Sequence, residues 1–333
     1  MDKIRFGVVG TNFITDWLIE GARYDVRFSL TAVCSRQEET GKAFALKHSV
    51  PHVYTAVEEM VSSPDVDAVY IASPNALHAS QAIICMEHGK HVLCEKPLAS
   101  NSREAERMID VARRNGVVLM EAMKPTLSPN FRVLTDNLYR IGKVRRFFAS
   151  YCQYSSRYDA LKRGVVANAF RPELSNGAVM DIGVYCLYPM VVLFGKPEAV
   201  IASAMKLPTG VDGQGSVVCR YDGFDAVAVY SKISDSHLPS EIQGEDGTLS
   251  IDRINQPRKI MFYPRDKTKP AEDLSVRCLE NEYYYEVKEF LDLIESGSVE
   301  SKVNSHKNSL DTIAVIDEVR FQSGIVFPAD GEM

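Results

Sequence analysis

Short apolar runs rich in Val, Ile and Tyr recur up to Pro125, at residues 4–9, 30–34, 68–72, 91–94 and 117–120, with segments of helical period between them. Strands that alternate with helices in this way imply a parallel, doubly wound sheet covered on both faces. The segment SNSREAERMIDVARRNG (residues 100–116) shows the pattern well. Asn101 can cap a helix, with Glu104 placed three residues on as in a capping box. Ala105, Met108, Ile109 and Ala112 then share one helical face, and Gly116 ends the helix.

The pattern changes after Pro125. Strand-like stretches at 145–154, 200–207, 216–221, 226–231 and 240–251 follow one another with little helix between them, and GEDGTL (residues 244–249) has the turn chemistry of a hairpin. Helices are expected late, at 282–295 and 306–322. The expected organisation is therefore an α/β dinucleotide-type domain over 1–124 and an α+β domain with a mostly antiparallel sheet over 125–333. A length of 333 residues suits two domains.

Composition narrows the class of partner. With 45% hydrophobic and 25% charged residues the chain reads as soluble and globular. A net charge of -6 and the lack of a long basic run argue against nucleic acid or an anionic membrane surface as main partner. Asp2, Lys3 and Arg5 interrupt any apolar leader, and the oiliest stretch, CLYPMVVLF (residues 186–194), is too short to span a bilayer. The seven cysteines are scattered without a C-x-x-C pair, so they read as buried thiols of a reducing cytoplasm.

The first strand runs into GVVGTNFITDWL (residues 7–18). A dinucleotide fingerprint wants glycines at 10, 12 and near 15, so that backbone can approach a pyrophosphate at a helix N-terminus. Here Gly10, Asn12 and Thr15 stand at those places. Asn tolerates left-handed dihedrals best among the other residues, so Asn12 is expected to keep the turn in that region, with Ile14 packing the helix on the sheet. After the second strand come Ser35 and Arg36, with no acid until Glu38. A hydroxyl and a guanidinium suit the 2′-phosphate of NADP better than the bare ribose of NAD.

Two further strand ends carry polar groups. In IASPNALH (residues 71–78) Ser73 and Pro74 turn the chain, Asn75 can cap the next helix, and His78 lies in its first turn. A lone histidine there is more often structural. In GKHVLCEKPLA (residues 89–99) Pro97 stops the strand and Lys96 projects at its carboxyl edge, where open α/β sheets bind ligands. In the second half, NGAVMDIGVYCLYP (residues 176–189) places Asp181 and Tyr185 four apart, on one face of a helix. A tyrosine can exchange protons if a neighbouring lysine and burial adjust it; the plainer reading is a core tyrosine. YDALK (residues 158–162) mimics the Y-x-x-x-K of short-chain dehydrogenases, but the glycine pattern does not suit them. His48 with His52 and His88 with His91 lack a completing carboxylate or cysteine cluster, so no metal site is expected.

GVVGTNFIT, SPNALH, GKHVLCEKP, VLMEAM (residues 118–123) and FRPELSNGAVMDIGVY (residues 170–185), in this order, resemble the glucose–fructose oxidoreductase / inositol dehydrogenase family, Gfo/Idh/MocA, over nearly the whole chain. The resemblance implies an N-terminal Rossmann domain and a C-terminal domain whose large open sheet mediates a homodimer or homotetramer. It implies that Gly10, Asn12, Phe13 and Ile14 flank the pyrophosphate and that Ser35 and Arg36 face the adenosine ribose. Ser73, Pro74, Asn75 and His78 fall near the nicotinamide half, and Glu95 and Lys96 beside its ribose. Lys96 also reaches the substrate, Arg171 matches an arginine near the cleft, and Asp181 matches a family aspartate.

Many sugar and inositol dehydrogenases of the family have histidine where Tyr185 stands. Tyrosine occurs in the branch resembling dimeric dihydrodiol dehydrogenase and glucose–fructose oxidoreductase, which favours a dihydrodiol, aldose or related substrate over inositol. The implied activity is NADP- or NAD-dependent hydride transfer at a secondary alcohol or carbonyl of a sugar-like, polyol or trans-diol substrate. In it Tyr185 exchanges the hydroxyl proton, Lys96 lowers the pKa of Tyr185 and holds the oxygen, and Asp181 orients the pair. The alternatives are a non-catalytic NAD(P)-binding regulator of the same fold or a redox-neutral enzyme that uses NAD transiently.

Overall fold

Residues 3–331 are described by a computed structural model. The chain divides into two compact units, Met1–Lys124 with Leu279–Ser309, and Pro125–Cys278 with Leu310–Met333. A second domain continuous over 125–333 is thus corrected, because residues 279–309 return to the first unit.

Among the described residues the first unit has six strands: β1 (Ile4–Val9), β2 (Phe28–Cys34), β3 (His52–Tyr54), β4 (Ala68–Ile71), β5 (His91–Glu95) and β6 (Leu119–Ala122). All pair in parallel, in the order β3-β2-β1-β4-β5-β6, the Rossmann arrangement. Helices α1 (Phe13–Ala22), α2 (Glu38–His48), α3 (Val57–Val61), α4 (His78–Glu87) and α5 (Ser102–Asn115) alternate with them. β1, β4 and β5 are built of fully buried apolar side chains such as Phe6, Val8, Val69, Ile71, Val92 and Leu93, as expected of a sheet covered on both faces. β3 escapes the apolar pattern because its three residues are only half-buried at the sheet edge.

Local signals act where the sequence placed them. In α5 the Asn101 side chain accepts the Glu104 N–H at 3.0 Å, while Glu104 reaches back to the N–H of Ser100 at 2.9 Å. Gly116 closes the helix with φ +62°.

The second unit opens with α6 (Pro129–Asp136), then β7 (Val144–Cys152), α7 (Ser156–Lys162) and α8 (Val184–Phe194). There follow β8 (Ala199–Lys206), β9 (Asp212–Tyr221), β10 (Phe224–Ser231), β11 (Ser240–Gly244), β12 (Gly247–Ile251), β13 (Ile260–Pro264) and β14 (Glu272–Asp273). These form one sheet in the order β14-β13-β12-β11-β7-β10-β9-β8, antiparallel throughout except for β7 beside β10. The stretch 240–251 splits into β11 and β12 about its hairpin turn. The oily segment ending at Phe194 is core: Val184, Cys186, Leu187, Tyr188, Met190 and Val191 of α8 are buried, and the rings of Phe194 and Phe147 meet at 5.8 Å.

The late helices are α9 (Tyr283–Ser296) and α10 (His306–Ser323). α9 explains the return of its segment to the first unit. It buries Val287, Phe290 and Leu291, and the Phe290 ring meets Phe6 of β1 edge-on at 5.9 Å. A Cβ on Gly21 of α1 would stand 2.9 Å from the Tyr283 Cβ, so glycine lets α1 and α9 lie close. Truncation by Phe290→Ala is expected to lower the unfolding free energy by about 3–5 kcal/mol, measured by denaturant titration.

Candidate functional site

Parallel pairing brings every carboxyl end of the first sheet to one edge. Val9 is in register with both Cys34 and Ile71, Ile71 with Cys94, and Glu95 with Ala122. Gly10, Ser35 with Arg36, Ser73 to Asn75, and Lys96 therefore leave the sheet along a single line. The centre of that line lies where β1 sits between β2 and β4, the point at which strand order reverses and such sheets bind ligands.

The turn after β1 keeps its glycine for a steric reason. Gly10 has φ +100°, and a Cβ there would stand 2.7 Å from the carbonyl oxygen of Ala72. Asn12 corrects the expectation of a left-handed residue, since it is extended at φ -85° and ψ 173°. It is the N-cap of α1: its Oδ1 accepts the N–H groups of Ile14 at 2.8 Å and Thr15 at 3.4 Å, and its Nδ2 donates to the Ala72 carbonyl at 2.8 Å. The missing glycine is thus replaced by a side chain folded onto the helix end. Thr15, Leu18, Ile19, Gly21 and Ala22 are the buried residues of the helix, whereas Ile14 is half-buried and Phe13 exposed.

Arg36 is exposed after β2, and the N–H of Ser35 donates to Tyr54. Glu38 pairs with Lys42 at 2.7 Å, so the nearest acid is engaged along its own helix. An exposed guanidinium after β2, with Glu38 turned to Lys42, suits the 2′-phosphate end of NADP.

Between β4 and β5 the contacts are tight. Ser73 donates to Gln81 at 2.6 Å, and Pro74 precedes a 3-10 turn, Asn75–Leu77, which Asn75 opens; Leu77, not Asn75, stands at the N-cap of α4. His78 is fully buried, with Nδ1 at 2.9 Å from the Pro97 carbonyl and Nε2 at 3.0 Å from that of Ser73. Burial pushes its pKa down. A neutral ring has one N–H and so donates to one of these carbonyls while packing against the other, which sets it between the loop carrying Ser73 and the loop carrying Lys96. The Lys96–Pro97 peptide is cis.

Buried acids surround the Lys96 loop. Tyr70 donates to Glu95 at 2.6 Å, and burial raises the Glu95 carboxyl while Lys96 opposes the rise. Glu286 of α9 is wholly buried and raised by burial and by Glu95. Glu121 accepts the N–H of Leu98 at 3.0 Å and is pushed up to about 7 by burial.

In the second unit Arg171 lies exposed between two 3-10 turns, its Nε donating to the Val166 carbonyl at 3.2 Å. Asp181 and Tyr185 do not share one α-helix. Asp181 sits in a π-helical turn, Val179–Gly183, and Tyr185 in the first turn of α8. The wider turn alters the face argument, and π-turns of this kind mark functional sites. Asp212 explains the turn: its carboxylate accepts the N–H groups of Ala178 and Val179, each at 2.8 Å. The Tyr185 ring meets Tyr151 edge-on at 5.6 Å.

The Asp181 carboxylate is ion-paired to Lys232, a residue that the sequence reading passed over. The pair is separated by 51 positions and belongs to no motif; the one available signal was a lysine directly after the apolar strand β10. In YDALK, Lys162 bonds Tyr154 at 2.6 Å and Asp159 at 2.7 Å, so the lysine of that motif is held within its own helix and the loop before it.

The first sheet and its edge define a nucleotide-binding oxidoreductase scaffold. Residues 4–123 match a model described as an oxidoreductase family with an NAD-binding Rossmann fold, and residues 139–250 match the GFO/IDH/MocA C-terminal domain. The scyllo-inositol 2-dehydrogenase (NADP(+)) IolU of Bacillus subtilis is 54% identical, over 98% of this chain and 99% of its own. A trans-1,2-dihydrobenzene-1,2-diol dehydrogenase of Danio rerio is 32% identical over 91% of each chain. Among solved structures, the 3-ketoreductase KijD10 of Actinomadura kijaniata, crystallised with NADP and TDP-benzene, is 25% identical with a TM-score of 0.85, covering 97% of this chain and 98% of its own. The chain belongs to the GFO/IDH/MocA oxidoreductase family. The first two of these relatives are named for scyllo-inositol and for a trans-dihydrodiol, the substrate classes that the reading of Tyr185 set apart.

Glu121 gives a pH test of the buried edge. Its pKa is raised from 4.5 to about 7 on folding, so the folded state binds the proton more tightly. The stability it contributes is present below about pH 4.5 and is lost as pH rises towards 7. Glu121→Gln is expected to flatten the fall in melting temperature between pH 5 and pH 8, read by differential scanning calorimetry.

Proposed function

We propose that this protein is an NADP-dependent dehydrogenase that interconverts a secondary hydroxyl and a ketone on a six-membered ring bearing trans-vicinal hydroxyls. The two named relatives act on scyllo-inositol and on a trans-dihydrodiol. Chemically these substrates share that one unit, a ring carbinol flanked by a trans hydroxyl. The observation that carries the reading is the 54% identity to an NADP-dependent polyol dehydrogenase over nearly both whole chains, in a sequence holding both Lys96 and Tyr185.

In this reading Gly10, Asn12, Phe13 and Ile14 flank the pyrophosphate, with Gly10 giving the backbone room. Ser35 and Arg36 hold the 2′-phosphate. Ser73, Pro74, Asn75 and His78 shape the nicotinamide half, Glu95 stands beside its ribose, and Arg171 is assigned a cofactor contact. NADP, when bound, supplies the hydride acceptor and donor. Lys96 holds the reacting oxygen by its ammonium and favours its loss of a proton. Tyr185 exchanges that proton, and Asp181 fixes the local charge. The exposed Ile201 and Met205 of edge strand β8 support assembly as a homodimer or homotetramer. The absence of disulfides among the described residues supports a cytoplasmic setting.

A panel of inositols, sugars and trans-diols, assayed with NADP and with NAD at the nicotinamide absorbance, tests the substrate class. Lys96→Met and Tyr185→Phe are expected to keep NADP affinity and to lose turnover by about 100-fold or more. Turnover at the parent rate in either variant removes the assigned role. Arg36→Ala is expected to raise the KM for NADP by about 10-fold or more while leaving that for NAD nearly unchanged, the loss of one charge-assisted phosphate contact. Equal effects on both cofactors would refute the 2′-phosphate role.

A further inference from the structure

One buried charge of the second unit, Lys232, is left unused by the proposed mechanism although it pairs with Asp181. The Lys232 side chain is 4% exposed and is ion-paired to Asp181, whose side chain is 33% exposed. The lysine is held by its own backbone, since its N–H donates to Gly213 at 2.8 Å and its carbonyl accepts the N–H of Ser155 at 2.9 Å. Its ammonium lies 5.7 Å from the ring centre of Phe170, next to Arg171 in the chain. A buried ammonium is costly unless paired. The fully buried Asp212 accepts the N–H groups of Ala178 and Val179, one on each oxygen, while the Lys232 ammonium pairs with Asp181.

Tyr185, in the first turn of α8, reaches the neighbouring strands through its ring. Its ring packs on Tyr151 of β7, and Tyr151 is in register with Tyr230 of β10, two residues before Lys232. We infer that Lys232 is a positioning residue for proton exchange: it clamps the Asp181 carboxylate beside the start of α8 and, through it, sets the charge that the Tyr185 phenol feels. This rests on the proposed role of Tyr185. An ammonium favours loss of the phenol proton and a carboxylate opposes it, so the two members of the pair pull in opposite directions. Other titratable groups on the elements packed here have contacts of their own. Lys162 of α7 is bonded to Asp159 and Tyr154, Tyr158 packs on Phe170, and Tyr230 is a neighbour of Asp212.

The test is the pH profile of kcat for polyol oxidation in the parent, Lys232→Met, Asp181→Asn, the double variant, Lys232→Arg and Tyr185→Phe, with NADP affinity measured by fluorescence. Lys232→Met is expected to move the limb that reports loss of the proton to higher pH by about one unit or more, the usual size of a close charge effect. Asp181→Asn is expected to move the limb to lower pH, and the double variant to fall between the two. Lys232→Arg should restore most of the parent profile, and NADP affinity should be unchanged throughout. The double variant also removes both charges together, so it keeps the test open should Lys232→Met fold poorly. A limb that stays in place in Lys232→Met, or that is absent from the parent, overturns the inference while leaving the reading of Tyr185 to its own variant. A Tyr185→Phe enzyme that keeps the parent rate and limb removes the role of Tyr185, and the inference falls with it.

Discussion

The contact between Gly10 and the end of β4 governs how the carboxyl edge is built. With φ +100° and no Cβ, Gly10 lies against the Ala72 carbonyl, and its N–H donates to Cys34 at the end of β2. The same Ala72 carbonyl accepts Asn12, which starts α1. One turn therefore ties three strand ends and one helix end together. From there the contacts continue across the edge: Ala72 leads to Ser73, the His78 ring lies between the Ser73 and Pro97 carbonyls, and Glu121 holds the N–H of Leu98. Lys96 is placed by this chain of short contacts rather than by any bond of its motif alone.

That edge carries a cost in buried polar groups. Glu95, Glu121 and Glu286 are all raised by burial, and the two wholly buried oxygens of Glu286 accept no hydrogen bond among the described residues. Lys96 and Lys124 oppose the rise at Glu95, and Lys124 does so at Glu286. Titratable groups shifted by burial cluster at functional sites, and structural networks shift such groups too. The second unit solves the same problem differently. It spends Asp212 on the backbone of a π-turn and pairs Lys232 with Asp181.

Much of the fold was legible because its signals are local. The apolar runs, the Asn101 cap and the Gly116 stop of α5, and the hairpin about residues 244–249 each need only neighbouring residues to act. Most of the candidate cofactor residues were legible for the same reason, since they follow closely on strands that the apolar runs reveal. What failed depended on distance along the chain. α9 belongs with β1 because Phe290 covers Phe6, and nothing local in its sequence says which sheet it covers. β3 was too short to register, and Asn12 was assigned a dihedral when its side chain had a better use as a cap.

By itself the sequence determined the alternation of elements, the parallel first sheet, the mostly antiparallel second one, and the residue types at each strand end. Those follow from periodicity, turn chemistry and the need to bury apolar faces, which are set within a few residues. Only the tertiary structure decided that residues 279–309 close the first unit, that the His78 ring lies between two loops, and that Asp181 meets Lys232. These outcomes depend on which buried charge or carbonyl finds a partner tens or hundreds of residues away. Such a match is fixed by packing in space, and no spacing along the chain encodes it.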